Sequence, residues 1–429
     1  MMEGGSISEQ ITDVTSTLDN LELKENRSSD TLEDWNALPP EVQDLILAFC
    51  PFYDLFQLRA ICKSFRDVIN SKNFQQARGR LFPREFFLGP LVFYVKDSLW
   101  HILGLDSKKQ IWRTLPPFRN PIPAPDVDLF KDFLVASHRG LFCVNVGKPS
   151  EAEKIYVCNL LTGSTHELPR LEFSRHPVIL NLHVTLTKTE DITTSSYRVI
   201  AIGSSATGTE SLSKKTEVYD SVKGKWETAG DVPGIDFSLN DHQTGVYCES
   251  ENLLLCVGFM VNGIKGILAF DVGKLEWRAD WLCPLLVAEE NTALSVHFAI
   301  AQLVECSGVI YLFSEQEAER TSVTHCIDRL DFVRGGPGYT WTRKVTIPRQ
   351  GYRALLVFPE YTCVPLGENK LCIFNTIERT GVVYNMLDDP INPDTSETIP
   401  APPPMDAGVI FHSLNPVGYA FEPSFGVSV

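Results

Sequence analysis

The sequence predicts an α+β chain of two unlike parts, a small all-α helical module followed by an all-β propeller of six blades. Three observations predict this. Apolar residues between Trp35 and Phe74 recur at the three- and four-residue spacing of helices. Beyond Leu91 that spacing gives way to short apolar runs separated by Gly, Asn, Asp and Ser, the pattern of strands and turns. Within those runs one unit recurs, an Asp six positions ahead of a Trp. A length of 429 residues, about three times the commonest domain size, has room for both parts. The expected division is an acidic tail over 1–34, the helical module over 35–80 and the propeller over 81–429.

Met1 to Asp34 holds nine acidic and two basic side chains with thinly spread Leu and Ile, too little apolar surface to offset the entropy of ordering. The tail is expected to be disordered. It has no apolar segment of the signal-peptide or transit-peptide kind, so secretion is not expected. No window of the chain approaches the ~20 apolar residues of a membrane-spanning helix, so no membrane partner is expected.

At Trp35 the character changes. Leu38-Pro39-Pro40 leads into Val42, Leu45, Ile46 and Phe49, which form one stripe along a helix. Proline suits the first turn, because the amide hydrogen it lacks would have no partner there and its fixed φ is helical. Pro51 stops this helix. Asp54 and Gln57 have the spacing of a capping box, so a second helix is expected from Asp54. Leu55, Leu58, Ile61, Cys62, Phe65, Val68 and Ile69 continue its apolar face, with Lys63, Arg66 and Asp67 opposite. Some forty residues, roughly, cannot bury a self-sufficient core, so the module is expected to need a helical partner.

The run Leu38-Pro39-x-Glu41-Val42, Ile46-Leu47, Phe49, Leu55, Leu58-Arg59-Ala60-Ile61-Cys62-Lys63-Ser64-Phe65-Arg66, Ile69, Ser71 and Phe74 resembles the F-box. The resemblance implies three helices that dock onto the Skp-type adaptor of a cullin-RING ubiquitin ligase. It assigns the adaptor contact to Leu38, Pro39, Val42, Leu45, Ile46, Phe49, Leu55 and Leu58, and to the Ile61-Cys62-Lys63 turn with Phe65. Phe65 stands where the family usually has Trp, a change that keeps an aromatic anchor and loses an N–H donor.

In the β-rich part, Leu105-Asp106 with Trp112, Tyr219-Asp220 with Trp226, and Phe270-Asp271 with Trp277 are copies of one unit. An Asp can close a turn through its side chain while the aromatic on the returning strand packs between sheets. Asp106, Trp112, Asp220, Trp226, Asp271, Trp277 and Trp341 are therefore expected to be structural residues of the blades. The units also share an ending, since Leu115-Pro116, Leu168-Pro169, Val232-Pro233, Cys283-Pro284, Ile347-Pro348 and Ile399-Pro400 recur at intervals of 51 to 64 residues. Proline cannot donate to a ladder and suits the exit from an outer strand.

Three copies are degenerate. Asn159 with Thr165 replaces Asp with Trp in the second, Gly335-Gly336-Pro337-Gly338 separates Asp331 from Trp341 in the fifth, and the sixth, around Val383-Tyr384-Asn385, lacks Trp. A period near fifty residues, with four short strands per unit, is the signature of a propeller. Val417 to Phe421 is expected to supply a strand to a terminal blade, because closing the ring removes exposed edges. The units resemble kelch repeats, and the chain from Trp35 to Ser424 resembles the plant F-box/kelch family, on phrases such as Trp112-Arg113-Thr114-Leu115-Pro116-Pro117 and Val157-Cys158-Asn159-Leu160-Leu161-Thr162-Gly163. The Gly-Gly doublet of an inner kelch strand is missing from every blade.

With 38 basic and 54 acidic residues the net charge is −16, which repels a phosphate backbone, so nucleic acid is not an expected partner. Eleven scattered cysteines without C-x-x-C spacing read as reduced, mostly buried thiols in the nucleus or cytoplasm. His138, His183 and His297 fall on different blades without paired spacing, so no metal site and no cofactor are expected. No G-x-S-x-G elbow, Walker loop or dinucleotide fingerprint is present, and no catalytic residue is assigned.

A rigid β scaffold that presents loops suits protein recognition. Thr187 to Ser196, Gly203 to Lys215, Ser314 to Thr324 and Arg334 to Tyr339 are the candidate contact loops. The resemblance implies a non-catalytic, substrate-recognition subunit. Its F-box would bind the Skp-type adaptor, and through it cullin and RING subunits, while the propeller binds a protein substrate for ubiquitination and proteasomal degradation. A scaffold or transcriptional co-regulator working outside the ligase stays open as a second reading, and a propeller enzyme as a third.

Overall fold

The computed structural model describes residues 35 and 37–81 and, with gaps, 87–429; the longer gaps are 115–133, 147–152, 205–212, 234–244, 286–296, 350–360, 402–409 and 412–419. Among the described residues four helices come first, α1 Pro40–Ala48, α2 Phe52–Ile61, α3 Lys63–Ile69 and α4 Lys72–Leu81. As the prolines require, α1 is capped by Pro39 and begins on Pro40. Helix α2 begins at Phe52, directly behind Pro51 and two residues ahead of the expected capping box. Proline has already set the entry angle, so no side chain caps α2, and Asp54 in its first turn faces Arg113 at 3.9 Å instead. The apolar face that spacing continues to Ile69 is broken at Cys62, whose extended backbone (φ −150°, ψ 165°) separates α2 from α3. The Cys62 Sγ then caps α3 by accepting from the Phe65 amide at 3.4 Å.

Five blades follow as antiparallel meanders of consecutive strands. Blade A is Leu134–His138, Leu141–Asn145, Ile155–Asn159 and Ser164–Glu167; blade B is Ile179–Lys188, Thr193–Ile202, Lys215–Asp220 and Lys225–Asp231. Blade C is Val246–Cys248, Leu253–Phe259, Lys265–Asp271 and Glu276–Trp277, with Cys283–Pro284 also paired to its third strand. Blade D is His297–Cys306, Val309–Ala318, Ser322–Phe332 and Tyr339–Arg349; blade E is Tyr361–Pro365, Lys370–Asn375, Thr380–Asn385 and Glu397–Ile399. The first strands of blades A and B, of C and D, and of D and E touch, which places them on the inner side of the ring.

Among the described residues, blades of this kind number five where the spacing predicts six. The remaining sheet joins Phe87–Leu88, Leu91–Tyr94, Leu99–Asp106 and Ile111–Thr114 to two strands from far along the chain, Ile410–Phe411 and Ala420–Phe421. Its register sets Leu88 opposite Ala420 and Phe93 opposite Phe411. The unit around Asp106 and Trp112 is therefore part of a six-stranded closing sheet rather than a sixth repeat of the same build. The strand expected from Val417 to Phe421 is present as Ala420–Phe421. Spacing counts units, but a ring has to hide its last two edges, and strands from both ends do so here.

The recurring Asp and Trp act as their chemistry suggests. Asp220 Oδ1 accepts from Val222 N at 2.9 Å and Asp271 Oδ1 from Gly273 N at 3.0 Å and Lys274 N at 2.9 Å, while Asp106 Oδ1 accepts from Lys109 N at 3.1 Å. Trp226 Nε1 donates to the Pro169 carbonyl at 2.7 Å, and Trp112 Nε1 to that of Pro400 at 2.6 Å. The Trp repeat and the proline repeat are thus two ends of one contact across a blade boundary. The second instance ties the closing sheet to blade E. Trp277 Nε1 uses Thr216 Oγ1 at 2.9 Å instead, and Trp341 packs its ring on Tyr339 at 5.8 Å.

The connection from blade A to blade B is pinned by buried charge. Arg175 pairs with Glu217 and donates to the carbonyls of Gly203 at 2.8 Å and Phe173 at 2.8 Å, while Glu153 accepts from Leu171 N at 2.6 Å and Ser174 Oγ at 3.0 Å. Every strong donor and acceptor in the group has a partner, which is what makes its burial tolerable.

Candidate functional site

The helical module is seated on the propeller. Leu47, Ala48, Phe52, Tyr53, Leu55, Ile69 and Phe74 are buried in one cluster with Phe142, Val144, Val146, Cys158 and Leu161 of blade A and with Phe425. Phe52 meets Phe56 at 4.9 Å and Phe425 at 6.2 Å between ring centroids. Arg59 Nη1 donates to the Leu161 carbonyl, and the Arg113 guanidinium of the closing sheet lies 5.0 Å over the Tyr53 ring. Arg78 of α4 holds the end of α1 by donating to the Ala48 carbonyl at 3.2 Å and that of Cys50 at 2.7 Å. The partner that forty residues require is, in the first place, the chain's own propeller.

What the propeller does not cover is the second feature. Phe49 is 53% exposed, Ile61 64% and Ile46 37%. Pro39 and Lys63 are exposed as well, and Leu38, Val42, Leu45, Leu58, Cys62 and Phe65 are half-buried. Leu55 is fully buried against the propeller, so of the residues assigned to adaptor contact it cannot reach a partner. Leu58 and Phe65 pack on the same cluster, and the Phe65 ring meets Trp35 at 5.0 Å. Burial, with Glu41 nearby, raises the pKa of Asp44. Gln43 Nε2 ties the entry to α1 by donating to the carbonyls of Trp35 at 3.0 Å and Leu38 at 2.9 Å.

Strand direction sorts the candidate loops. In an antiparallel meander the first-to-second and third-to-fourth turns share one face of the ring, and the second-to-third turns lie on the other. The Asn159–Gly163 turn beneath the F-box and the strand ends Lys188 and Thr193 therefore share a face, whereas the strand ends Ile202 and Lys215 are on the opposite one. Two of the four are paired strand over their described residues. Ser314 to Ala318 pairs with Ser322 to Cys326, burying Ser314 and Glu315, and Thr187 and Lys188 pair with Thr194 and Thr193. Long polar strands read as loops because their apolar alternation is weak. Residues 189–192, 205–212, 319–321 and 333–337 lie outside the described residues.

Two of the histidines are closer than their spacing suggests. The His138 ring stacks on that of His183 at 5.2 Å, and His183 lies 3.8 Å from the Tyr247 ring. His138 Nδ1 accepts from the Val184 amide at 2.8 Å. Burial first, then Arg139, lowers the His183 pKa to about 4. Among the described residues no group of three or more His, Cys, Asp or Glu is placed to hold a metal ion, and no helix is long and apolar enough to cross a membrane. The ten described cysteines are free, and burial pushes Cys158 and Cys256 up to about 12, so neither thiol is a ready nucleophile.

Sequence spacing does not reveal Leu47, Phe52, Tyr53, Phe74, Arg59 or Phe425 as contact residues. Helical periodicity marks an apolar stripe but not which neighbour covers it. One signal was available, the loss of Asp and Trp at Asn159 and Thr165, in the blade on which the helices sit.

Residues 35–76 match the family model of the F-box domain. The chain carries an F-box domain ahead of a β-propeller. Over 254 residues it is 26% identical to F-box only protein 6 of Arabidopsis thaliana, a match covering 57% of this chain and 47% of that relative. The chain thus spans about half the length of the curated relative it matches. Among solved structures it is similar to TolB from Acinetobacter baumannii (11% identity, TM-score 0.39, 76% of this chain and 65% of that one). An α-L-arabinanase of Penicillium chrysogenum complexed with arabinobiose is similar at 11% identity and a TM-score of 0.41, over 61% of this chain and 81% of that one.

Proposed function

We propose that this protein is a non-catalytic substrate receptor of a cullin-RING ubiquitin ligase, of the Skp-cullin-F-box type. The exposure of Ile46, Phe49 and Ile61 carries the reading, because these helices have already buried one face on the propeller and still present large apolar side chains to solvent. Such side chains on an F-box suit a helical, apolar partner, and a Skp-type adaptor is the partner this domain typically binds. Leu38, Pro39, Val42, Leu45, Cys62 and Lys63 would complete the contact. The propeller would bind the protein to be modified, through turns on either face. Transfer would be accelerated by proximity, the receptor holding its target near a loaded conjugating enzyme without touching the thioester chemistry.

The experiment is affinity capture from cells with the proteasome inhibited, using the intact chain and the Phe49→Asp, Ile61→Asp variant. Deleting the F-box is the wrong comparison, because it would strip Phe142, Val144 and Leu161 of their cover. The intact chain should bring down a Skp-type adaptor with cullin and RING subunits, and the variant should lose all three while keeping its substrate. A variant that retains the adaptor removes the assignment.

A further inference from the structure

The repeat of Asp ahead of Trp fails in blade A, and the failure coincides with the seat of the F-box. In blade B the pair Tyr219 opposite Trp226 packs into the core shared with blade A. The equivalent pair in blade A is Cys158 opposite Thr165, two small side chains, and Cys158 lies in the core shared with the helices and Phe425. What a Trp would fill is left for a different segment of chain.

Asn159 is suited to hold that segment. Its Oδ1 caps the turn as an Asp would, accepting from Leu161 N at 2.9 Å and Thr162 N at 3.4 Å. Its Nδ2 donates to the Ser424 carbonyl at 2.8 Å and the Val427 carbonyl at 2.7 Å. An aspartate could do only the first, and would set a buried carboxylate against two carbonyl oxygens. Gly140, at φ +88°, gives the segment clearance, since a Cβ there would lie 2.5 Å from that of Ser424. Between the two held carbonyls, Phe425 is 6% exposed and meets Phe74 at 6.0 Å as well as Phe52. A few residues earlier the same stretch closes the ring through Ala420 and Phe421.

We infer that Asn159 and Phe425 are positioning residues: Ser424, Phe425 and Val427, fastened by Asn159, fix the orientation of the F-box on the propeller, so that ring closure and F-box seating are one event. The consequence for ubiquitin transfer rests on the adaptor reading above. A fixed F-box holds whatever the propeller binds at one distance from the conjugating enzyme, where a mobile one would spread it over many.

The test uses the full chain with genetically encoded spin labels at Gln57 and Lys274, both exposed. Distance distributions come from double electron–electron resonance, and affinity for the Skp-type adaptor is measured alongside by calorimetry. Asn159→Asp restores the residue of the other repeats and keeps the turn, yet should broaden the distribution, as should Phe425→Ala. Phe425→Leu should retain the narrow wild-type peak. Adaptor affinity should stay within about twofold throughout, since neither residue lies on the exposed helical side. A narrow peak in both Asn159→Asp and Phe425→Ala overturns the proposal. If Asn159→Asp does not fold, the Ala and Leu variants at 425 decide, because they leave the turn untouched. A wild type that binds no adaptor while the distances behave as expected sinks the adaptor reading and leaves the seating intact.

Discussion

Replacing Phe52 by Ala asks whether F-box and propeller are one cooperative body. Phe52 is 0% exposed, and its ring meets those of Phe56 at 4.9 Å, Tyr53 at 5.8 Å and Phe425 at 6.2 Å. Truncating a ring so enclosed removes its transfer free energy and leaves a cavity, a loss of about 3–5 kcal/mol. With a urea m-value of roughly 3 kcal/mol/M or more, the midpoint should fall by about 1 M. Six of the seven tryptophans lie in the β-rich part, so tryptophan emission reports the propeller, whereas ellipticity at the helical minimum reports the F-box. Because the cluster includes Phe142, Val144 and Leu161 of blade A, both signals should shift together. A helical signal that moves while tryptophan emission keeps its midpoint would refute the shared core.

Two further outcomes concern the propeller alone. Arg175→Met leaves Glu217 buried without its cation and should cost about 3–5 kcal/mol, and Arg175→Met with Glu217→Leu should recover much of it; thermal melts in which the single variant is no weaker than the double would contradict this. The His183 pKa is lowered to about 4 from an ordinary 6.5, so below pH 6.5 the unfolded chain binds a proton that the folded one refuses. Stability should therefore fall between pH 6.5 and 4, by about 3 kcal/mol at the lower end, and stay level above. His183→Phe, which cannot titrate, should flatten that slope in melts across the range; an equal slope in both proteins removes His183 as its source.

Much of the architecture was legible in the residues, for identifiable reasons. Asp220 with Trp226 and Asp271 with Trp277 are chemically distinctive pairs at constant spacing, and turn closure and cross-blade packing need those side chains. The Pro169 and Pro400 endings were visible for the same reason, although nothing in their spacing says that their carbonyls receive the tryptophans. Blade number was less legible, because the strands 87–114 repeat the pattern locally while their partners, Ile410–Phe411 and Ala420–Phe421, lie far along the chain. On the helices, periodicity found the apolar residues but could not divide them. Leu55 went to the propeller and Ile61 to solvent, a division made by tertiary contact with Leu161 and Phe425. Cys62 broke an apparently continuous helix through a local backbone choice that no periodicity encodes.

Adaptor binding by a surface variant tests the central claim most directly. Full burial of an apolar side chain contributes about 1.5–3 kcal/mol, so Phe49→Asp or Ile61→Asp, each on the exposed side of the F-box, should weaken binding to a purified Skp-type adaptor about tenfold to a hundredfold or more. Both side chains face solvent, so the melting temperature of the free protein should change little. The account predicts lost affinity with retained stability in isothermal titration and thermal melts. Wild-type affinity in both variants, or no binding by the unaltered chain, would contradict it.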